Sequence, residues 1–185
     1  VTSYWEDAEQ VARFAQREPD RRLAELLEFF VQPSQTRVLD LGCAAGRNTV
    51  LLARAGFDFY AVDTSAAMVE KTRERVTAIV GVTSAADRVR VGAMEDLLGF
   101  DDEFFSLVVS LGVYHQARSP GQWLQALDET CRVLAPEGLL LTASFSPASQ
   151  PHGEPLRPVP GQDHMFDGFR SGPLCLVDAA QSITP

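Results

Sequence analysis

Asp40, Gly42, Gly46 and Asp63 are the residues whose types and spacing carry chemistry. A short apolar run, Val38-Leu39-Asp40-Leu41, feeds into Gly42-Cys43-Ala44-Ala45-Gly46, and a helical pattern follows. Glycine at both ends of such a turn relieves Cβ clashes and lets backbone approach a bound molecule closely. About twenty residues further on, a second apolar run closes on Asp63, where a carboxylate can accept both hydroxyls of a ribose lying across strand ends. Together they imply a nucleoside ligand. The order acid, one residue, glycine, three residues, glycine differs from the G-x-G-x-x-G turn that cradles a pyrophosphate, which argues against a nicotinamide-dependent oxidoreductase. Asp40 and Asp63 could each be a turn-capping carboxylate, but two acids ending successive strands around this loop favour binding.

Tyr114 and His115 form the second candidate group, as the catalytic pair. They follow a strongly apolar run at the carboxyl edge of the expected sheet, where ligands of open α/β sheets bind. A histidine titrating near neutrality could remove a proton from an attacking oxygen or nitrogen; the alternative is a hydrogen bond within its own loop. Cys43 reads as a small buried residue rather than a nucleophile. His152 and the pair Asp163-His164 lack metal-ligand spacing, so no metal site is expected.

These residues need a parallel sheet behind them, and residues 38–145 supply the pattern for one. Short β-rich runs at 38–41, 59–62, 88–91, 105–110 and 138–145 alternate with helical patterns at 46–56, 66–80 and 122–134. Pro136-Glu137-Gly138 reads as a turn before the fifth strand. Two amphipathic helical patterns precede this core, at 4–17 and 20–31, with Asp20 as a cap for the second. Tyr4, Trp5 and Phe14 on these helices either pack on the sheet or fold over the ligand as a lid. Residues 146–161 are rich in proline and polar side chains and read as an extended loop. A last apolar run, Leu174-Cys175-Leu176-Val177, could add a strand.

Arg37 to Phe145, through VLDLGCAAG, AVDTSAAMVEKTRERV, VRVGAMEDLLGFDDEFFSLVVSLGVYHQ and RVLAPEGLLLTASF, resembles the class I S-adenosylmethionine-dependent methyltransferases. Ala44 stands where the middle glycine of that family's first motif usually falls. The resemblance implies an α/β fold, a Rossmann-like three-layer sandwich with a mostly parallel sheet. It divides the chain into an amino-terminal helical lid (1–36), a cofactor-binding core (37–145) and a loop-rich tail (146–185). It places Asp40, Gly42 and Gly46 beside the methionine portion of S-adenosylmethionine and Asp63 on the ribose. Thr64 and Met94 would flank the adenine, although Met94 serves equally well as ordinary core. Ala93 replaces a frequent adenine-binding aspartate, leaving Glu95 or backbone to take over, and Leu111 and Gly112 would face the sulfonium. The implied reaction is methyl transfer to an oxygen, nitrogen or carbon of a small molecule, leaving S-adenosylhomocysteine. The alternative is a non-catalytic binding or assembly module on the same fold. The family usually adds a helix and an antiparallel hairpin after the fifth strand; here that end is expected to be truncated, or reduced to residues 166–177. An exposed fifth strand would then be covered by a second copy, as a homodimer.

Charge and composition narrow the partners. Sixteen basic residues against 25 acidic ones give a formal net charge of -9, and no basic stripe tracks phosphates, so nucleic acid is not expected. No apolar run approaches the roughly 18 residues of a membrane span, and VTSYWEDAEQ does not resemble an export signal. Cys43, Cys131 and Cys175 read as reduced thiols, which with the rest points to a cytoplasmic protein.

Overall fold

The central strands of the core are apolar on both sides. In β1 (Arg37–Leu41), Val38 belongs to one buried cluster while Leu39 and Leu41 belong to another. A strand buried on both faces has to lie inside a sheet covered by helices on either side. The computed structural model, which describes residues 4–177, shows this arrangement. Five parallel strands run in the order β3 (Val89–Val91), β2 (Asp58–Asp63), β1, β4 (Phe105–Leu111), β5 (Leu134–Ala143). One cluster lies beneath α2 (Arg21–Leu27), α3 (Arg47–Arg54), α4 (Ala66–Val80) and α5 (Val82–Arg88). The other lies beneath α6 (Pro120–Val133), with Tyr60, Phe100, Phe104 and Phe105 stacked edge to face. The result is a Rossmann-like three-layer sandwich.

Side-chain caps set where the helices begin. Asp7 accepts from the Gln10 backbone N–H at the start of α1 (Ala8–Ala15), and Asp20 accepts from Arg22, as its position before α2 predicts. Ser65 accepts from Met68 ahead of α4, and Ser119 accepts from Gln122 ahead of α6, whose first residue is Pro120.

Three expectations need correcting. Residues 82–88 form α5, which no clear period announces. The chain passes straight from α6 into β5, so Pro136-Glu137-Gly138 is a bulge within that strand rather than a turn before it. The pairing jumps from Phe105–Leu134 to Leu107–Leu139, and Glu137 takes a left-handed φ of 62° to absorb the extra residues. The tail is also more ordered than a loop. β6 (Arg157–Pro158), β7 (Met165–Asp167) and β8 (Leu174–Cys175) make a separate three-stranded antiparallel sheet, so the last apolar run joins β7 and not β5. β5 therefore remains an edge of the main sheet among the described residues, with Leu139 and Leu140 partly exposed. Among those residues no helix is long and apolar enough to cross a membrane.

Candidate active site

The sheet winds one way from β1 through β2 to β3 and the other way from β4 to β5. A crevice opens where the two directions part, at the carboxyl ends of β1 and β4, as in other open α/β sheets. There the chain leaves β1 through Gly42 and β4 through Gly112, and a cavity of about 280 Å³ lies between them.

Gly42 has a φ of 70°, and a Cβ at this position would collide with the side chain of Val113. The Gly42 and Cys43 backbone N–H groups both donate to the Val62 carbonyl, at 2.7 and 3.1 Å, which folds the loop over the end of β2. Asp63 then locks it. One carboxylate oxygen accepts from the Ala44 N–H at 2.8 Å and the other from the Ser65 N–H at 2.9 Å. Each oxygen keeps a second lone pair, and the residue lines the cavity, so it can still receive a hydroxyl. Burial raises the Asp63 pKa above the usual carboxylate range, opposed by these backbone hydrogen bonds.

Asp40 sits deeper. Its carboxylate accepts from the Thr49 hydroxyl at 2.6 Å, and burial pushes its pKa up to about 6, with the neighbouring Asp63 adding a smaller push. A cation in the cavity would favour the charged form. Thr64, Met94, Glu95 and Leu111 also line the cavity, with Glu95 accepting from the Gln122 side chain at 2.6 Å. Ala93 does not line it.

Two expected site residues lie elsewhere. Gly46 is absent from the cavity wall; it holds a φ of 79° at the start of α3, and a Cβ there would come within 2.8 Å of the Thr72 side chain. Close packing of the loop on α4 is enough to account for its glycine. Tyr114 turns into the core, and its hydroxyl meets Thr130 on α6 at 2.8 Å. Thr130 gives its own proton to the Ala126 carbonyl, so Tyr114 is the donor in that pair and lines neither cavity.

His115 belongs to a second chamber of about 550 Å³ that shares Trp5, Phe14, Arg17, Leu111, Gly112 and Gln116 with the first. Burial lowers its pKa to about 4, so the ring is neutral at physiological pH. The Phe145 backbone N–H donates to Nδ1 at 3.3 Å, which leaves the proton on Nε2. In this arrangement His115 offers a donor and not a base, so the proton-removing role expected for it lacks a free lone pair.

The chamber is closed by both ends of the described chain. Tyr4, Trp5 and Phe14 stack edge to face, and all three line it. The Ser65 hydroxyl donates to the Trp5 carbonyl at 2.9 Å, and the Glu6 carboxylate accepts from Ala67 N–H at 3.2 Å, which ties this segment to the start of α4. Arg118 donates to the carbonyls of Pro173 and Ser171 at 2.9 and 3.3 Å and draws in the tail that carries Phe169 and Arg170. Arg17, Arg47, Gln116 and the tail residues went unnoticed in the sequence, where no spacing rule joins positions so far apart.

A model of the methyltransferase domain matches residues 38–138, more than half of the chain. The chain belongs to this methyltransferase-domain family. It is similar to a ubiquinone biosynthesis O-methyltransferase of Caulobacter sp. (strain K31), 32% identical over 111 residues that make up 60% of this chain and 41% of the relative. Among solved structures it resembles the PH0226 protein of Pyrococcus horikoshii OT3, with a TM-score of 0.63 at 22% identity over 96% of this chain and 80% of the other. A SAM-dependent methyltransferase from Aquifex aeolicus aligns with a TM-score of 0.60 at 21% identity, covering 80% and 78%. The chain spans about two-fifths of the length of the curated relatives it matches. S-adenosylmethionine is the cofactor of this family.

The methyltransferase cavity fits that molecule. It supplies carboxylates for ribose hydroxyls and for positive charge, apolar surface from Val62 and Met94 for a base, and the Arg17 and Arg47 guanidiniums for a carboxylate.

Proposed function

We propose that this domain transfers a methyl group from S-adenosylmethionine to a nucleophilic oxygen, nitrogen or carbon of a small molecule. The observation that carries the reading is the meeting of two chambers at Leu111, Gly112 and Gln116, one built for a nucleoside and one walled by aromatic side chains. When bound, the cofactor supplies an electrophilic methyl group on a sulfonium that becomes a neutral thioether as the methyl departs.

The protein's own task is alignment and exclusion of water. Asp63 and the loop it pins fix the ribose end, and Asp40 supports positive charge beyond it. Gly112 has no side chain to obstruct the passage between the chambers. The Tyr4–Phe14 lid and the Arg118-held tail keep water from the acceptor. His115, neutral and with Nδ1 engaged, can steady an acceptor oxygen through Nε2–H.

Calorimetry with S-adenosylhomocysteine tests the first half of this reading, and tritium transfer from labelled cofactor to a panel of phenols, amines and carbon acids tests the second. Micromolar binding followed by labelled product is the expected outcome. Absence of any binding of either cofactor form would end the enzymatic reading; binding without transfer across the panel would favour the module that keeps the fold without catalysis.

A further inference from the structure

The second chamber carries chemistry that the family's motifs do not specify. In a chain with 25 acidic and 16 basic residues, its wall holds Arg13, Arg17 and Arg170 and, among the described residues, not one carboxylate. Among the described residues none of the three arginines forms an ion pair, although Arg21, Arg22, Arg37, Arg88 and Arg132 elsewhere all do. Arg13 instead donates to the Tyr4 hydroxyl at 2.6 Å, and Arg17 stacks over Phe14 with its guanidinium carbon 3.9 Å from the ring centroid. Their positive charge is therefore not neutralised locally. Burial and the nearby guanidiniums of Arg47 and Arg13 lower the Arg17 pKa, the direction expected where cations crowd without counter-ions.

Flat surfaces make up the rest of the wall. Trp5 and Phe14 contribute one set, with ring centroids 5.4 Å apart. Phe145 lies 5.1 Å from the His115 ring and 5.1 Å from Phe169, giving a second set from the loop after β4, the segment just past β5 and the tail. Gln116, at the junction with the cofactor cavity, has a buried side-chain oxygen without a hydrogen-bond partner. An acceptor O–H or N–H would satisfy it, and leaving it unmet costs on the order of 1–3 kcal/mol.

We infer that the methyl acceptor is a planar aromatic acid, its ring held among the aromatic side chains, its carboxylate against Arg13 and Arg170 and its O–H or N–H toward Gln116. This inference rests on the methyltransferase reading above and names the substrate class for that same site. Guanidinium groups suit a carboxylate because their paired N–H donors match its two oxygens, and aromatic faces accept a flat ring without ordering many rotatable bonds. A cationic acceptor would instead meet the like charges of Arg13 and Arg170.

The test uses matched triplets in which one substituent is a carboxylate, a carboxamide or an aminomethyl group, built on hydroxy-substituted benzene, naphthalene and indole. Each is titrated calorimetrically into the protein with and without saturating S-adenosylhomocysteine. The expected result is that at least one acid binds about tenfold or more tightly than its amide and that its amine does not bind. Arg170→Gln and Arg13→Gln, which alter the chamber away from the cofactor cavity, should each reduce the acid-to-amide ratio severalfold, with S-adenosylhomocysteine binding reporting that the variant is folded. Equal binding of acid and amide in all three series, tighter binding of any amine, or no acid binding at all overturns the inference. An acid preference in a protein that does not bind S-adenosylhomocysteine would overturn the methyltransferase reading alone.

Discussion

The two chambers share Trp5, Phe14, Arg17, Leu111, Gly112 and Gln116 but differ in charge balance. The cofactor cavity sets Asp40, Asp63 and Glu95, from strand ends and the loop after β3, against the guanidiniums of Arg17, Arg47 and Arg118. The acceptor chamber takes its arginines and most of its aromatic rings from the amino-terminal helices and the tail, and among the described residues no carboxylate lines it. On the proposed reading, the sheet carries most of the cofactor site and the chain's two ends carry most of the acceptor site.

The sharpest way to break this division is Gly42→Ala. It forces a side chain into a φ of 70° and against Val113, and should cost about 2–4 kcal/mol of stability, from strain and overpacking together. Thermal melting should show a fall of many degrees, with cofactor binding lost. A variant melting like the parent would mean that the loop has room the geometry denies.

Asp63→Ala comes next. It removes the acceptor for two backbone N–H groups and the ribose contact, and S-adenosylhomocysteine affinity should fall about 100-fold, the equivalent of losing two charge-assisted hydrogen bonds. If the chambers are independent, the acid-over-amide preference measured without cofactor should survive. A parallel loss of both would show that the loop holds the two sites together.

Asp40→Asn separates stability from function. Because its folded pKa is raised from 3.8 to about 6, the folded chain binds this proton more tightly than the unfolded chain does. Ionised Asp40 therefore costs stability above about pH 6, and the cost disappears below about pH 4. The asparagine variant should be more stable by about 1–3 kcal/mol at pH 8, with the gain vanishing as pH falls through that window. Its preference for the sulfonium of S-adenosylmethionine over neutral-sulfur S-adenosylhomocysteine should weaken, as should that of the parent protein on acidification through pH 6. Denaturant melts and paired titrations at several pH values check both.

How much of this was legible in the sequence follows the same division. Strand, loop and helix around Asp40, Gly42 and Asp63 could be read because glycine and carboxylate requirements there act over a few residues. α4 could be read to its boundaries because Ser65 caps it and Gly81 ends it. Gly46 and Tyr114 misled for a physical reason. A glycine demanded by contact with Thr72 looks the same in sequence as one demanded by a ligand, and a tyrosine past a strand end is free to turn into the core when Thr130 waits there. The acceptor chamber was illegible because Arg13 and Arg170 meet only through tertiary folding, and the tail's short antiparallel sheet is built of strands too brief to show alternation.

Ala44→Gly should have the smallest effect, and it probes why the loop tolerates a departure from the family's glycine. Ala44 sits at a φ of 46°, in the left-handed region that an L side chain occupies at a cost of about 1 kcal/mol. Its backbone is held regardless of its side chain: the N–H donates to Asp63 and the carbonyl accepts from Thr72 at 2.7 Å. Glycine would relieve the strain but would also give the unfolded chain more freedom to lose, an offset of about 0.4–1 kcal/mol. The two effects nearly cancel, so the melting temperature should move by only a degree or two, while S-adenosylhomocysteine affinity should hold or rise by less than about threefold. A larger gain in affinity, measured by calorimetry, would mean that the alanine methyl itself intrudes on the cofactor, and that this loop has drifted from its task in a way the acceptor chamber must tolerate.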